Sequence, residues 1–470
     1  MEPKLATDLQ DLTDQLVSRL GANGVSLDAG VAEAHAGDWS EAAKTRPALV
    51  VFPGTPDEVA ATLALCSASG HKIVVQGGLT GLAGGATPRP GEVALSLERL
   101  NRIEEFDCTG GTVTVQAGVA LELLQTHVEA EGWFFPLDLG ARGTCHVGGN
   151  AATNAGGNRV IRYGTMRDLV LGLEVALADG RLLTMLNRVT KNTTGIDLKH
   201  LFIGSEGSLG VITRLVLKLS PKPQAASTAL CAVGSFEAAA KLLKSLQADL
   251  PSLSAFELMW NDFMLAACEI GQLRAPFGAP HALYALVETM GASQEGEREQ
   301  LEQVLGRALE EGLVDDVIVA QSMDDAHRLW QYRETVGEML SRMKPHAAFD
   351  VGVPMAQLDG VVSSVRAALE REFPNARHLF FGHLGDGNLH VLSGPHNTSE
   401  SLHEVEDVVY QAVSRAGGCI SAEHGIGVVK KAFLPLSRSP HELELMCSLK
   451  DLLDPGHVLN PGRIFESRPS

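Results

Sequence analysis

The sequence predicts an α+β fold in two domains, on three observations. A chain of 470 residues with 45% hydrophobic and 20% charged side chains is longer than one core usually serves and apolar enough to bury more than one. Short β-rich runs punctuated by glycine fill the stretch from Arg46 to about Pro223. Beyond the two prolines of Ser220-Pro-Lys-Pro223, longer helical patterns alternate with strands.

Taken in order, Leu5, Leu9, Leu12, Leu16 and Leu20 recur at three- and four-residue steps, which predicts an amphipathic helix ending near Gly21 within a lead-in over 1–45. The next unit, 46–221, carries strands at 48–52, 72–75, 112–115, 171–177 and 211–217, with helices at 56–69 and 119–131. The prolines at 221 and 223 remove backbone donors and disfavour both helix and central strand, so they read as a linker. Over 222–419, Ser235 is placed to cap a helix bearing Phe236, Leu242, Leu243 and Leu246. Further helices are predicted at 294–311, 324–341, 356–372 and 400–416. Strand patterns at 226–233, 282–288, 315–320, 347–353, 377–382 and 389–393 predict an antiparallel or mixed sheet. The glycine-marked segment 420–470 is expected to return to the first domain.

With 38 Lys and Arg against 57 Asp and Glu, the formal charge is −19. Without a basic cluster this excludes nucleic acid and anionic membranes as partners, and an anionic substrate must meet a local cation. Seven scattered cysteines, never spaced C-x-x-C, read as reduced thiols. The first residues are acidic from Glu2 and show neither an apolar core of a secretory signal nor an Arg-rich presequence, and no apolar run approaches the ~20 residues of a membrane span. The expected location is cytoplasmic.

Chemistry concentrates in three glycine tracts. Val75-Gln-Gly-Gly-Leu-Thr-Gly-Leu-Ala-Gly-Gly85 follows a strand, and glycines let successive N–H groups turn toward one anion. A dinucleotide fingerprint would need a helix next, whereas Thr87-Pro-Arg-Pro-Gly91 follows, so a nest of amides between two strands fits better. The second tract, Asp138 to Gly157 with Arg162-Tyr-Gly164, interleaves small residues with Asn and Thr and suits backbone lying against a flat ring. The third is Leu201 to Ile212. Three tracts on one ligand require a large ligand.

The order Gln-Gly-Gly-Leu-Thr-Gly at 76–81, Gly-Gly-Asn-Ala-Ala-Thr-Asn-Ala-Gly-Gly at 148–157 and Gly-Ser-Glu-Gly-Ser-Leu-Gly at 204–210 resembles the FAD-binding domain of the para-cresol methylhydroxylase (PCMH)/vanillyl-alcohol oxidase superfamily. Val170 to Val175, Thr194 to Lys199 and the C-terminal motifs resemble more narrowly the FAD-dependent D-2-hydroxy acid dehydrogenases, over about residues 46–465. The resemblance implies a PCMH-type FAD domain, an α+β substrate (cap) domain and a C-terminal segment that completes the active site. It implies FAD with its pyrophosphate on Gln76, Gly77, Gly78, Leu79, Thr80 and Gly81. Pro136, Leu137, Gly143, Thr144, Gly148, Gly149, Asn150, Thr153, Asn154, Gly156, Gly164, Glu206, Gly207, Val211, Ile212 and Asn460 would complete the cofactor site. Some superfamily members tether flavin to histidine or cysteine; the first loop here has neither, and a pair similar to Cys145-His146 is familiar in the non-covalent hydroxyglutarate branch. Non-covalent FAD is expected.

In Phe381-Gly-His-Leu-Gly-Asp-Gly-Asn-Leu-His390, apolar strands flank Asp386-Gly387 and predict a hairpin with a two-residue turn, in which His383 falls opposite His390. Residues so placed have Cβ atoms ~4.5–5.5 Å apart, and the imidazoles either share a cation or simply stack. The resemblance implies the former: a divalent cation on His383, His390 and Glu423, with zinc suited to the donor set and manganese, cobalt or iron left open. His424, next to that glutamate, matches the family's general base and a substrate contact. Arg333 matches an arginine that grips a substrate carboxylate, or else pairs with a nearby acid. Three positions depart from the hydroxyglutarate pattern: Gly337 replaces threonine, Ala348 lysine and Leu392 asparagine. Losing those polar groups favours D-lactate or another D-2-hydroxy acid with an uncharged side chain at least as much as D-2-hydroxyglutarate.

The expected reaction is oxidation of a D-2-hydroxy acid to the 2-oxo acid. No nicotinamide fingerprint is present, so electrons would leave to electron-transfer flavoprotein, a quinone or a cytochrome; a homodimer is compatible with this reading. Two alternatives stand beside it: a non-redox FAD transferase of the same superfamily and a non-catalytic FAD subunit of a larger oxidase.

Overall fold

A computed structural model describes residues 2–396 and 399–466, so the last four residues of the expected 420–470 segment lie outside the described residues. The chain divides into two compact units: 1–157, 164–222 and 423–470 form the first, and 158–163 with 223–422 the second. The division between Lys222 and Pro223 sits in the proline-marked linker, where Ser220–Pro221 still pairs antiparallel with Trp133–Phe134.

In the first unit, strands Leu49–Val51, Val93–Ser96 and Ile73–Gln76 run parallel, with Val25–Ser26 antiparallel at one edge. A five-stranded antiparallel sheet follows in the order 103–107, 112–116, 211–218, 170–176, 182–185. Helix Pro56–Ser69 shows why the local signals work: Thr55 accepts from the Glu58 N–H, Pro56 fills a position that needs no donor, and Gly70 closes the helix at φ 75°. The N-terminal helix Glu2–Leu20 belongs to this unit, because Leu12 and Leu16 are buried in the same core as Leu63 and Cys66. The last segment returns to it: Leu459 bridges parallel to Ile73, and the buried Lys450 Nζ donates to the carbonyls of Ser208 and Leu459 at 2.8 and 2.7 Å.

The second unit is a seven-stranded antiparallel sheet in the order 316–319, 225–233, 283–291, 253–260, 377–383, 388–394, 347–352. Ser235 caps helix Phe236–Asp249 by accepting from the Ala238 N–H. The predicted helix 324–341 is two helices, Met323–Glu334 and Val336–Arg342, because Thr335 turns its hydroxyl back onto the Gln331 carbonyl at the junction. Strand Leu253–Trp260 and helix Asn261–Ile270 are not singled out by the sequence pattern. The strand is buried almost throughout, so its apolar run lacks the alternation that marks a half-exposed strand. Residues 158–163 join this unit, where the Arg162 guanidinium donates to the carbonyls of Ser252 and Met290.

Candidate active site

In the first unit the loop after Ile73–Gln76 runs without a helix into Val93–Ser96. Leu79 stands at φ 56°, a left-handed conformation rare outside glycine. Among the described residues the N–H groups of Gly77, Gly78, Leu79, Thr80 and Gly81 have no hydrogen-bond acceptor. Consecutive unpaired amides in a partly buried loop make a concavity suited to an anion. The loop lies directly on the second tract, since a Cβ at Gly78 would come within 2.0 Å of the Thr144 carbonyl oxygen. At Gly149 a Cβ would meet nothing within 4 Å, and the buried Nδ1 of His146 has no partner among the described residues. A free amide row, open space over glycine and an unsatisfied buried nitrogen together fit a pyrophosphate with an attached ring system.

The side chains expected to touch the cofactor divide into two groups. The buried Gln76 amide accepts through Oε1 from His35 Nδ1 at 2.7 Å and donates through Nε2 to the carbonyls of His35 and Ala86, so it braces the loop from beneath. Asn154 accepts from the Thr165 hydroxyl and the Arg167 N–H. Asn460 accepts from the Val75 N–H at 2.8 Å and donates to the Glu206 carbonyl at 2.6 Å, joining two glycine tracts. The Glu206 carboxylate accepts from the N–H groups of Ile426 and Gly427 at 2.7 and 2.8 Å. Burial pushes its pKa up, against those two amides and the Lys430 charge. Polar atoms of these four residues already have protein partners, and they shape the loops. Val211 and Ile212 are buried in the sheet, as are Pro136 and Leu137 beside it, while Gly143 and Thr144 are exposed. Thr153 returns its hydroxyl to the Gly149 and Asn150 carbonyls, and Gly164 and Gly207 hold φ 76° and 70°. Cys145 is buried, and burial pushes its thiol pKa up, which leaves it a poor nucleophile for a covalent flavin link. Glu423 and His424 open the segment whose next turn Glu206 holds, and both are partly buried.

In the second unit, the hairpin differs from the expected one. His383 pairs with Asn388, Gly382 with Leu389 and Phe381 with His390, so four residues, 384–387, form the turn and the register moves by two. The extra length is closed by Asp386 N–H donating to the His383 carbonyl and by Gly387 at φ 77°. A shift of two preserves the face of every side chain. His383 and His390 therefore remain neighbours, diagonal rather than opposite, with ring centroids 5.2 Å apart and planes at 84°. Asn388 lies on the same face; its amide is 4% exposed and neither polar atom has a partner among the described residues. Across the sheet, Asp350 pairs with His390, and the Asp350 carbonyl accepts from the N–H of Ala422, the residue before Glu423.

Sequence reasoning missed Glu257. It sits on Leu253–Trp260 directly opposite His383 and is fully buried. Its Oε1 is 2.5 Å from His383 Nδ1, and its Oε2 accepts from Arg333 Nε at 2.8 Å. Burial alone would raise its pKa, but the charges and hydrogen bonds of His383 and Arg333 hold it below the ordinary carboxylate range. The signal available in the sequence was a single acid, Ser-Ala-Phe-Glu-Leu-Met-Trp, inside an otherwise apolar run. Arg333 thus pairs with an acid, although a buried one, and lies over the Phe381 ring at 4.7 Å. Phe381 stacks in turn on His390 at 5.0 Å. Among the described residues Nη1 and Nη2 of Arg333 have no hydrogen-bond acceptor and remain available to a carboxylate. Two of the departures from the hydroxyglutarate pattern are direct cross-strand partners, Ala348 and Leu392, and Gly337 is exposed.

Residues 222–464 match the family described as FAD linked oxidases, C-terminal domain, and residues 47–186 match the FAD binding domain. The chain is 39% identical over 449 residues to the mitochondrial D-2-hydroxyglutarate dehydrogenase of Arabidopsis thaliana, spanning 95% of this chain and 80% of that one. It is 38% identical over 436 residues to the D-2-hydroxyglutarate dehydrogenase of Xanthomonas citri pv. viticola, 92% of each chain. Among solved structures, p-cresol methylhydroxylase with substrate bound shares the fold at a TM-score of 0.78 and 14% identity, over 98% of this chain and 97% of that one. The expectation of a cytoplasmic protein is overturned by such relatives, because the plant and mammalian ones are named as mitochondrial. Relatives named as dehydrogenases also leave the transferase and the non-catalytic subunit without support. Among the described residues no helix is long and apolar enough to cross a membrane.

Proposed function

The chain belongs to the FAD-linked oxidase family and is an FAD-dependent D-2-hydroxy acid dehydrogenase, and from that premise we propose which residues do the work and which acid they accept. His383, His390 and Glu423 hold a divalent cation, zinc by donor type, and Arg333 receives the C1 carboxylate through Nη1 and Nη2. His424 takes the hydroxyl proton as hydrogen leaves C2 with its electron pair, giving the 2-oxo acid. Non-covalent FAD would supply the hydride acceptor, and a cation on these residues would lower the energy of the developing alkoxide. Electrons then pass to electron-transfer flavoprotein, a quinone or a cytochrome.

The observation that carries this reading is the buried contact between His383 Nδ1 and Glu257 Oε1. An ionised carboxylate only accepts, so the contact with Glu257 requires a proton on Nδ1, and Nε2 would be the ring atom that ligates the cation. The unsatisfied Asn388 amide on the same face supports a polar ligand there. Chain connectivity supports Glu423 as the third ligand, because Ala422 is tied to the strand that pairs with His390. For the substrate side chain, the apolar pair Ala348 and Leu392 offers no partner to a second carboxylate, so an uncharged side chain is preferred.

Anaerobic bleaching of the flavin spectrum by a panel of D- and L-2-hydroxy acids, with and without chelator, tests the whole. Bleaching by D-acids only, lost on prolonged chelation, is expected. No bleaching by any acid refutes the assignment of roles, full activity after chelation refutes the cation, and a much higher kcat/KM for D-2-hydroxyglutarate than for D-lactate refutes the side-chain preference.

A further inference from the structure

Resting on the cation and carboxylate roles above, we propose that Glu257 is a positioning residue that orients both grips on the substrate at once, the imidazole of His383 and the guanidinium of Arg333. Each of its oxygens is committed to a different one of them, Oε1 to His383 Nδ1 at 2.5 Å and Oε2 to Arg333 Nε at 2.8 Å. The three residues come from three elements: the adjacent strands Leu253–Trp260 and Arg377–His383, and the helix Met323–Glu334, which reaches Glu257 through Arg333. The separations are 126 and 76 residues along the chain, so no local turn holds this arrangement.

A merely stabilising role accounts poorly for it. The neighbours of Glu257 on this face, Met259, Leu286 and Phe381, belong to an apolar core, and a well-packed apolar side chain at 257 would avoid desolvating a carboxylate. What an apolar residue cannot do is fix a tautomer and aim a fork. With Oε1 as acceptor, His383 must present Nε2 to a cation. With Oε2 holding Nε and one face over Phe381, the planar guanidinium is fixed in orientation, and Nη1 and Nη2 have no protein acceptor among the described residues. The ring of Phe381 also stacks on His390, so the second ligand imidazole stands on the same support. Cation affinity and carboxylate affinity consequently share one buried anion, and loss of that anion weakens both.

The test uses the FAD-loaded protein with Glu257→Gln and Glu257→Asp. Glutamine keeps the volume but places an NH2 where one acceptor stood, and aspartate keeps the charge one methylene short. For E257Q, zinc affinity measured by chelator competition is expected to fall 10- to 100-fold. The visible spectrum of the cobalt-substituted protein should change, and KM for the D-2-hydroxy acid should rise at least tenfold even at saturating zinc, with flavin content retained. E257D should show the same effects more weakly, and it carries the test if E257Q does not fold. Zinc affinity within threefold of wild type together with unchanged KM, in whichever variant folds, overturns the proposal whatever the change in Tm. Wild-type protein that binds none of zinc, cobalt, manganese or iron overturns the cation role and this proposal together. Wild-type binding that survives both substitutions overturns this proposal alone.

Discussion

Replacing Gly78 by alanine tests the amide nest without touching a charge or a catalytic group. The new Cβ would lie 2.0 Å from the Thr144 carbonyl oxygen and 2.9 Å from the Thr144 carbonyl carbon and the Cys145 Cα, all backbone atoms. Nonbonded contacts of this kind need about 3 Å, so one of the two loops must retreat by about 1 Å. Thr144 cannot yield freely, because its N–H is bonded to the Ala141 carbonyl and Cys145 is held by the same carbonyl and by the Leu121 N–H. The loop 77–81, whose amides have no protein acceptor, moves instead. Overpacking of this size is worth roughly 1–3 kcal/mol, and if it falls on the cofactor loop it appears as a roughly 5- to 150-fold loss of FAD affinity. Apoprotein titrated with FAD by calorimetry or by flavin fluorescence quenching reads this directly. Gly149→Ala serves as the companion, since its Cβ meets no protein atom within 4 Å. It should leave the apoprotein's Tm unchanged and lower FAD affinity only if cofactor fills that space. Gly78→Ala protein with wild-type FAD affinity and wild-type Tm would refute the view that the two tracts form one cradle.

Two further outcomes are expected. The Arg463 guanidinium is fully buried and holds both oxygens of Glu92 at 2.8 and 2.7 Å as well as the Thr87 carbonyl, so Arg463→Ala leaves a buried unpaired carboxylate and should destabilise by about 3–5 kcal/mol. The double replacement Arg463→Met with Glu92→Leu should lose less in denaturant unfolding, and an equal or larger loss would contradict the ion-pair account. The pH dependence follows from His378 and His396, which share the Ser393 hydroxyl at 2.9 Å each and whose pKa values burial holds below the ordinary 6.5. As pH falls through 6.5 the unfolded chain binds protons that the folded protein refuses, so stability is level above 6.5 and declines below it until the lower folded pKa values are reached. Tm measured across pH 5 to 8 checks the sign, and His378→Gln should flatten the slope.

Residue order alone made the glycine tracts and the histidine hairpin legible, because each is a local signal: a turn chemistry or a periodicity. The caps at Thr55 and Ser235 are readable for the same reason. The hairpin register was not, since the turn closes over four residues by bonds that depend on Leu384 meeting the Phe256 carbonyl on a strand far away in the chain. Nor did composition reveal that Gln76 faces His35 or that Glu206 holds the turn after His424, contacts made across 41 and 220 residues. Glu257 marks the limit most clearly. In sequence it is one acid in an apolar strand, and only strand pairing and helix packing bring His383 and Arg333 to its two oxygens. The sequence determined which groups exist and which segments turn. Tertiary structure decided which of those groups share a hydrogen bond, because burial makes a lone carboxylate intolerable and so fixes its partners through contacts that no local pattern encodes.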